Sequence, residues 1–383
     1  MTIVQQFLIS ALADHLSARP SEPPEDLNWQ VLFDLSEQHQ VSGIMYAQCK
    51  NSLFQHAYYG AIAAYLKRKE VLELLEKALR DNGIDYFIVK GPVIAEYYPV
   101  PSLRTMGDMD VVVHPEDRER VSDILVELGL AMERTKGKAE WHFHYGNLPL
   151  ELHDHLVYNH VVSQEKHKEF FNDCWQYVKD GEVDPSFHFL FLLLHLRKHF
   201  MNTGVGFRQF MDVAVMERED LNWPWIERKL RELKLWAFSE KVFTLNEVWF
   251  GVAPPLGIDP VDPNFIEKAT ELILYNGVFG FDNKENEHNI AVNIVKSEGS
   301  SFKTRSRHVL HDVFYPYLDM IRMPQYSYLK NRKVLLPFAW VHRAVRAVYL
   351  KRADKTMKSI ILQAFVSKDV VEQRSKVLEK WGL

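Results

Sequence analysis

The chain has 383 residues, 47% of them hydrophobic, 13% aromatic and 25% charged, which excludes a disordered protein. Two cysteines, Cys49 and Cys174, exclude a disulfide framework and a four-thiolate zinc site, and they suit a reducing compartment. The net charge of −5 is unevenly spread: residues 301–383 carry 17 Lys and Arg against 6 Asp and Glu, a net +11, leaving −16 on residues 1–300.

The length predicts about two domains. Residues 1–80 read as helical. Ile3, Phe7, Leu8 and Leu12 recur at helix spacing, a Pro-rich break follows at 19–25, and a second helical stretch begins near Leu27. Ala61 to Arg80 is predicted as a strong helix with an apolar stripe of Leu66, Val71, Leu72, Leu75 and Leu79, stopped by Asp81-Asn82-Gly83.

The period then changes. Ile84 to Val89 is β-rich and ends at Lys90-Gly91-Pro92, where Pro92 suits the first turn of a helix reaching about Tyr98. Met109 to Val113 is a second strand, and residues 114–128 a helix capped by Gly129. Strands over Glu140 to Tyr145 and Leu148 to His153 are joined at Gly146-Asn147, a hairpin signal. From Glu165 onward the periodicity is helical: Phe187–Phe200, Gly206–Met216, Trp223–Trp249 and Phe265–Tyr275, then a Gly- and Asn-rich loop over 276–302 and a basic helix over Phe338–Lys351.

Three short strings carry the chemistry. In Gly107-Asp108-Met109-Asp110, the period of two puts both carboxylates on one strand face and Met109 and Val111 on the other. Two adjacent carboxylates repel, and Mg²⁺ is the natural counter-ion because it prefers hard oxygen ligands. In Leu150-Glu151-Leu152-His153, Glu151 and His153 share a face. If that strand lies beside the first, Glu151 becomes a third carboxylate, enough for two Mg²⁺ ions and in-line phosphoryl chemistry. Lys90-Gly91 sits at a strand-to-helix turn that suits a phosphate, and Arg104 lies four residues before Asp108. Each string also has an ordinary structural reading, as a solvent-facing strand end or a plain turn.

Further along, His188, His195 and His199 fall near one helix face. They read as cleft-lining residues or, alternatively, as a zinc site. The run His195-Leu196-Arg197-Lys198-His199 lacks the Glu of the zinc-protease motif. Arg208 and Asp212, at i and i+4, pair on a helix or order the cleft wall.

The strings Phe87-Ile88-Val89-Lys90-Gly91-Pro92, Tyr98-Pro99, Arg104, Gly107-Asp108-Met109-Asp110-Val111 and Glu151-Leu152-His153, with His195–His199 and Arg208–Asp212, resemble the uncharacterised nucleotidyltransferase family of the DNA polymerase beta-like superfamily. The specific motifs cover roughly residues 80–215. They depart from the wider superfamily at the turn, which is usually Gly-Gly or Gly-Ser and here is Lys-Gly-Pro. The gap from Gly91 to Asp108 is also longer.

The resemblance implies an α+β fold: a small mixed sheet with helices at 82–160, an N-terminal helical segment at 1–81 and a C-terminal helical region at 161–383. It also implies Mg²⁺-dependent transfer of an NMP from an NTP to a hydroxyl-bearing acceptor, whether small molecule, protein or RNA. Asp108, Asp110 and Glu151 are the expected metal-binding and catalytic residues. Lys90, Gly91, Arg104, Lys198 and Arg208 are the expected nucleotide-binding residues, and His153, His195, His199 and Asp212 are expected to line the cleft. The rival readings are a non-catalytic nucleotide-binding module, a toxin-type enzyme acting on tRNA or protein, and a zinc hydrolase.

Nothing in the sequence sets an oligomeric state. Met1 to Ala18 is a poor signal peptide, and the longest apolar run, Phe187 to Leu196, is broken by His188 and His195 and is too short to span a bilayer, so a soluble cytoplasmic protein is expected. The basic C-terminal segment is expected either to meet a polyanion or to pack on the acidic body.

Overall fold

A computed structural model describes residues 1–133, 140–158, 165–202 and 204–278, with parts of 317–349 and 375–383. The expectations for 279–302, Lys351 and Arg352 lie outside the described residues. The chain divides into two units: residues 1–134, 139–280 and 381–383 form the first, and 135–138 with 281–380 the second.

The first unit is a mixed α+β fold, as the sequence predicts. Four helices lead: α1 (Ile3–Leu16), α2 (Trp29–Gln38), α3 (Ser42–Cys49) and α4 (Gln55–Asp81). Strands β1 (Tyr86–Val89), β2 (Met109–Val113), β3 (Ala131–Met132), β4 (Trp141–Tyr145) and β5 (Leu148–His153) form one sheet in the order β1-β2-β5-β4-β3. The helices between them are α5 (Gly91–Ala95) and α6 (Arg118–Glu127). β2 and β5 run parallel with Asp110 opposite Glu151, and the other neighbouring pairs are antiparallel.

Alternation along the strands sorts the two faces. Met109, Val111, Val113, Leu150 and Leu152 point to a core completed by Val71, Leu72, Leu75 and Leu79 of α4 and by Val121, Ile124 and Leu125 of α6. Asp110, Glu151 and His153 take the opposite face. The stripe predicted on α4 needs one correction. Leu66 is 59% exposed, whereas Arg68, one turn before Val71 and Leu72, is 9% exposed. The long stem of arginine packs along apolar surface while its head reaches polar groups.

The remaining helices are α7 (Glu165–Asn172), α8 (Pro185–Asn202), α9 (Phe207–Glu217), α10 (Trp223–Glu232), α11 (Trp236–Phe250) and α12 (Pro263–Asn276). A two-stranded ribbon, Val178–Lys179 with Glu182–Val183, interrupts the helical region that the periodicity predicts. The single helix expected over 223–249 breaks at Lys234, whose φ is +55°. α8 is apolar nearly all round, as a helix enclosed by neighbours must be, and Phe187 to Leu194 are all buried. Pro185 opens it, and Asp184 Oδ1 caps it by accepting from the Phe187 N–H at 2.9 Å.

Two further features matter below. Asn246 Nδ2 on α11 donates to Glu217 Oε1 on α9 at 2.7 Å. Glu217 Oε2 and Asn246 Oδ1 are buried without partners among the described residues. The C-terminal Trp381 ring lies 4.2 Å from that of Phe200 and 5.3 Å from that of Phe265.

In the second unit, α13 (Leu336–Tyr349) carries Ala339 to a small core with Met320, Tyr326 and Leu329. No described helix is long and apolar enough to cross a membrane.

Candidate active site

The polar face of the sheet borders a cavity of about 480 Å³ within the first unit. Lys90, Gly91, Arg104, Asp108, Asp110, Glu151, His153, His195, Lys198, His199, Arg208 and Asp212 all line it. The sheet supplies the acidic side of the cavity, and α8 and α9 supply its basic and imidazole side.

Parallel pairing of β2 with β5 places Asp110 beside Glu151, and His153 follows two residues on. One donor atom from each of these three residues lies within 4.8 Å of the other two. His153 Nε2 is 3.0 Å from Asp110 Oδ1 and 3.4 Å from Glu151 Oε2. On the neighbouring β4, His142 Nδ1 reaches Glu151 Oε1 at 3.2 Å. Asp110 is 1% exposed, and its Oδ2 has no hydrogen-bond partner among the described residues.

Asp108 precedes β2, in the turn, so strand alternation does not govern it. It lines the cavity but is not a member of the three-residue group. From α4, Arg68 holds that turn, with Nη2 donating to the carbonyls of Met106 at 2.9 Å and Gly107 at 3.1 Å.

Charge balance in the cluster comes from its neighbours. Lys90 Nζ lies 2.5 Å from Asp110 Oδ1. Burial pushes the Asp110 carboxyl up, but Lys90 and His153 outweigh it and hold the group below the usual carboxylate range. Burial and the adjacent Asp110 raise Asp108 instead. Burial opposes the charge on His153, while hydrogen bonds to Asp110 and Glu151 overcome it and raise its pKa.

The Lys90 backbone is unusual, with φ +59° and ψ −119°, a region that L-residues avoid and that a surrounding structure must impose. Its N–H donates to His188 Nε2 on α8 at 2.8 Å. Burial, reinforced by Lys90 and Arg104, lowers His188 to about 3, so the ring stays neutral and keeps the lone pair that this bond needs.

Arg104 lines the cavity with its fork already engaged by protein groups. Nε and Nη2 bind Asp212 Oδ1 and Oδ2 at 2.7 and 2.8 Å, and Nη1 donates to the Gly91 carbonyl at 3.1 Å. Tyr98 also donates to Asp212 Oδ1 at 2.7 Å. The Arg208–Asp212 pair on α9 spans 3.4 Å, and Arg208 Nε donates to Gln40 at 3.1 Å. Lys198, half-buried on α8, has no hydrogen bond or ion pair with a described residue. Burial and Lys90 lower its pKa.

His195 and His199 form an Nε2-to-Nε2 hydrogen bond of 2.8 Å. Burial and nearby lysines lower both, His199 to about 3, so one neutral ring donates to the other. The zinc reading of the three α8 histidines has no matching metal group among the described residues.

Gln40, Arg68 and His142 are the site residues that the sequence reading does not name, while the roles of Tyr98 and His188, which it does name, come from their partners Asp212 and Lys90. Arg68 alone left a signal, as a cation at helix spacing from a buried apolar stripe.

The family model described as "Uncharacterised nucleotidyltransferase" matches residues 25–251, well beyond the stretch of specific motifs, and the chain belongs to that family. Comparison with curated proteins and with solved structures gave no match.

Proposed function

We propose that this member of the nucleotidyltransferase family moves an NMP from an NTP to a hydroxyl-bearing acceptor, with a divalent cation on the Asp110–Glu151 cluster. One observation carries the reading. A buried carboxylate, Asp110, with an Oδ2 that has no partner among the described residues, stands beside the half-buried Glu151 at a cavity whose other wall carries Lys198 and Arg208. That juxtaposition suits a cation and a triphosphate bound side by side.

The donor set fits a divalent ion. Asp110 and Glu151 supply carboxylate oxygens, Asp108 stands at the same cavity, and Asp110 Oδ2, unpartnered among the described residues, is a ligand atom suited to a cation. When bound, such an ion neutralises charge on the transferring phosphoryl group.

The protein's own residues supply the rest. The Lys198 ammonium, with no hydrogen bond or ion pair among the described residues, is available for the triphosphate oxygens. Arg208 lines the same cavity, and Lys90 offers a second ammonium once the cluster no longer needs it as counter-charge. Arg104, locked to Asp212 and to the Gly91 carbonyl, positions the Lys90–Gly91 turn rather than holding phosphate itself. In the transfer, the acceptor oxygen bonds to the α-phosphorus and the bond from that phosphorus to the bridging oxygen breaks. The electron pair leaves with pyrophosphate, and the acceptor proton passes to a carboxylate oxygen of the cluster. Rate enhancement comes from positioning and from fixed charge in a partly enclosed site.

The test is pyrophosphate release from each of the four NTPs, with candidate acceptors and divalent ions, in the wild type and in Glu151→Gln. Glu151 is half-buried, and glutamine preserves its shape. Release by the wild type that falls at least about 10³-fold in the variant, with unchanged circular dichroism, supports the reading. Undiminished release in the variant refutes it. Calorimetric NTP binding without turnover for any acceptor moves the assignment to a binding module.

A further inference from the structure

We propose that the cluster selects a first-row transition-metal dication over Mg²⁺, because the His153 imidazole joins Asp110 and Glu151 as a ligand. This rests on the divalent-cation reading above and deepens it.

The sequence points to three carboxylates, an all-oxygen set. The geometry assembles a different trio. Asp108 stays in the turn before β2, and His153 Nε2 takes the third place, 3.0 and 3.4 Å from the two carboxylates. It is the ring nitrogen Nε2 that points at them, and the proton it donates to the carboxylates is the one a bound cation would displace. His153 is 9% exposed, and β5 fixes it on the same face as Glu151.

Glu151 is aligned for the same purpose. His142 engages its Oε1 from β4, leaving Oε2 toward the cluster. A partner of this kind fixes the orientation of a ligand carboxylate. The Asp110 Oδ2 atom, buried and without a partner among the described residues, is the independent sign that the cluster awaits a cation.

Ligand chemistry then selects the ion. Mg²⁺ demands oxygen ligands in near-octahedral order and gains little from imidazole. Ions from Mn²⁺ to Zn²⁺ accept nitrogen readily.

Mn²⁺ is the probe, because it is visible by electron paramagnetic resonance and can be compared directly with Mg²⁺. Binding of each ion to the wild type, His153→Gln and His153→Asp is measured by calorimetry and by Mn²⁺ resonance, with circular dichroism to verify folding. The wild type should show nitrogen hyperfine coupling from bound Mn²⁺ and tighter binding of Mn²⁺ than of Mg²⁺. His153→Gln should abolish the coupling and weaken Mn²⁺ by about 10–100-fold with a much smaller effect on Mg²⁺. His153→Asp should shift selectivity toward Mg²⁺. If both ions bind, the coupling is absent and His153→Gln leaves their ratio unchanged, the imidazole is not a ligand while the divalent-cation reading stands. If neither ion binds the wild type, that underlying reading fails.

Discussion

Arg104 and Asp212, 108 positions apart in the chain, meet through two hydrogen bonds of 2.7 and 2.8 Å with each side chain only 4% exposed. This pair fastens α9 to the segment between α5 and β2, and through Gly91 to the turn that presents Lys90. Asp212→Asn leaves a buried guanidinium without its counter-charge, which should cost about 3–5 kcal/mol. Arg104→Lys keeps the charge but loses the planar fork, and should cost less. Urea unfolding measures both, and a loss for Asp212→Asn below that for Arg104→Lys would contradict the assignment.

Lys198 should behave in the opposite way. Having no hydrogen bond or ion pair among the described residues, it contributes little to the fold, and Lys198→Ala should alter stability by no more than about 0.5 kcal/mol. The same change should weaken NTP binding by about 10–100-fold, the worth of one charge-assisted hydrogen bond, and lessen its dependence on salt. Calorimetry across a salt series checks this, and unaltered affinity would remove Lys198 from the nucleotide site.

The Lys90 conformation separates two effects in one position. Lys90→Ala and Lys90→Gly both delete the ammonium beside Asp110, but only glycine relieves the backbone at φ +59°. The glycine variant should be more stable than the alanine variant by about 1 kcal/mol. Equal midpoints in thermal unfolding would show that the turn is unstrained.

Glu217 predicts a pH dependence. Burial drives its carboxyl well above the ordinary value of 4.5, although Asn246 and Arg218 oppose the shift. The folded state therefore holds a proton that the unfolded chain has released. With that proton, the Glu217 O–H can donate to Asn246 Oδ1 and the two orphaned oxygens satisfy each other. The stabilisation is complete below about pH 4.5 and declines as pH rises toward the folded-state value. Glu217→Gln keeps an N–H donor for Asn246 and cannot ionise, so unfolding measured from pH 4 to 9 should show a flatter slope than the wild type. Identical slopes would show that Glu217 is ionised in the fold.

Strand alternation alone exposed the polar face of the sheet, because Met109, Val111, Leu150 and Leu152 had to be inside and their neighbours therefore outside. The Gly146-Asn147 turn likewise announced the β4–β5 hairpin. The same rule was silent on which strands adjoin, and only the parallel pairing of β2 with β5 makes Asp110 and Glu151 neighbours. Alternation also stops where a strand stops, which is why Asp108, one residue too early, stands apart from the group with Asp110. Arg104 read as a phosphate ligand because its partner lies on a distant helix that no local pattern connects to it. His188 shows the same limit: its helix face was legible, but not the backbone N–H of Lys90 that it receives.

The division of the chain into units has a topological consequence. Residues 281–380 leave the first unit after Gly280, and the chain returns to it at Trp381, whose ring packs among Phe200, Phe238 and Phe265. In sequence the second unit is thus flanked on both sides by segments of the first. Deleting that last tripeptide would remove an aromatic plug from the helical layer that carries α8. A fusion partner is therefore safer at the exposed Met1 than after Leu383.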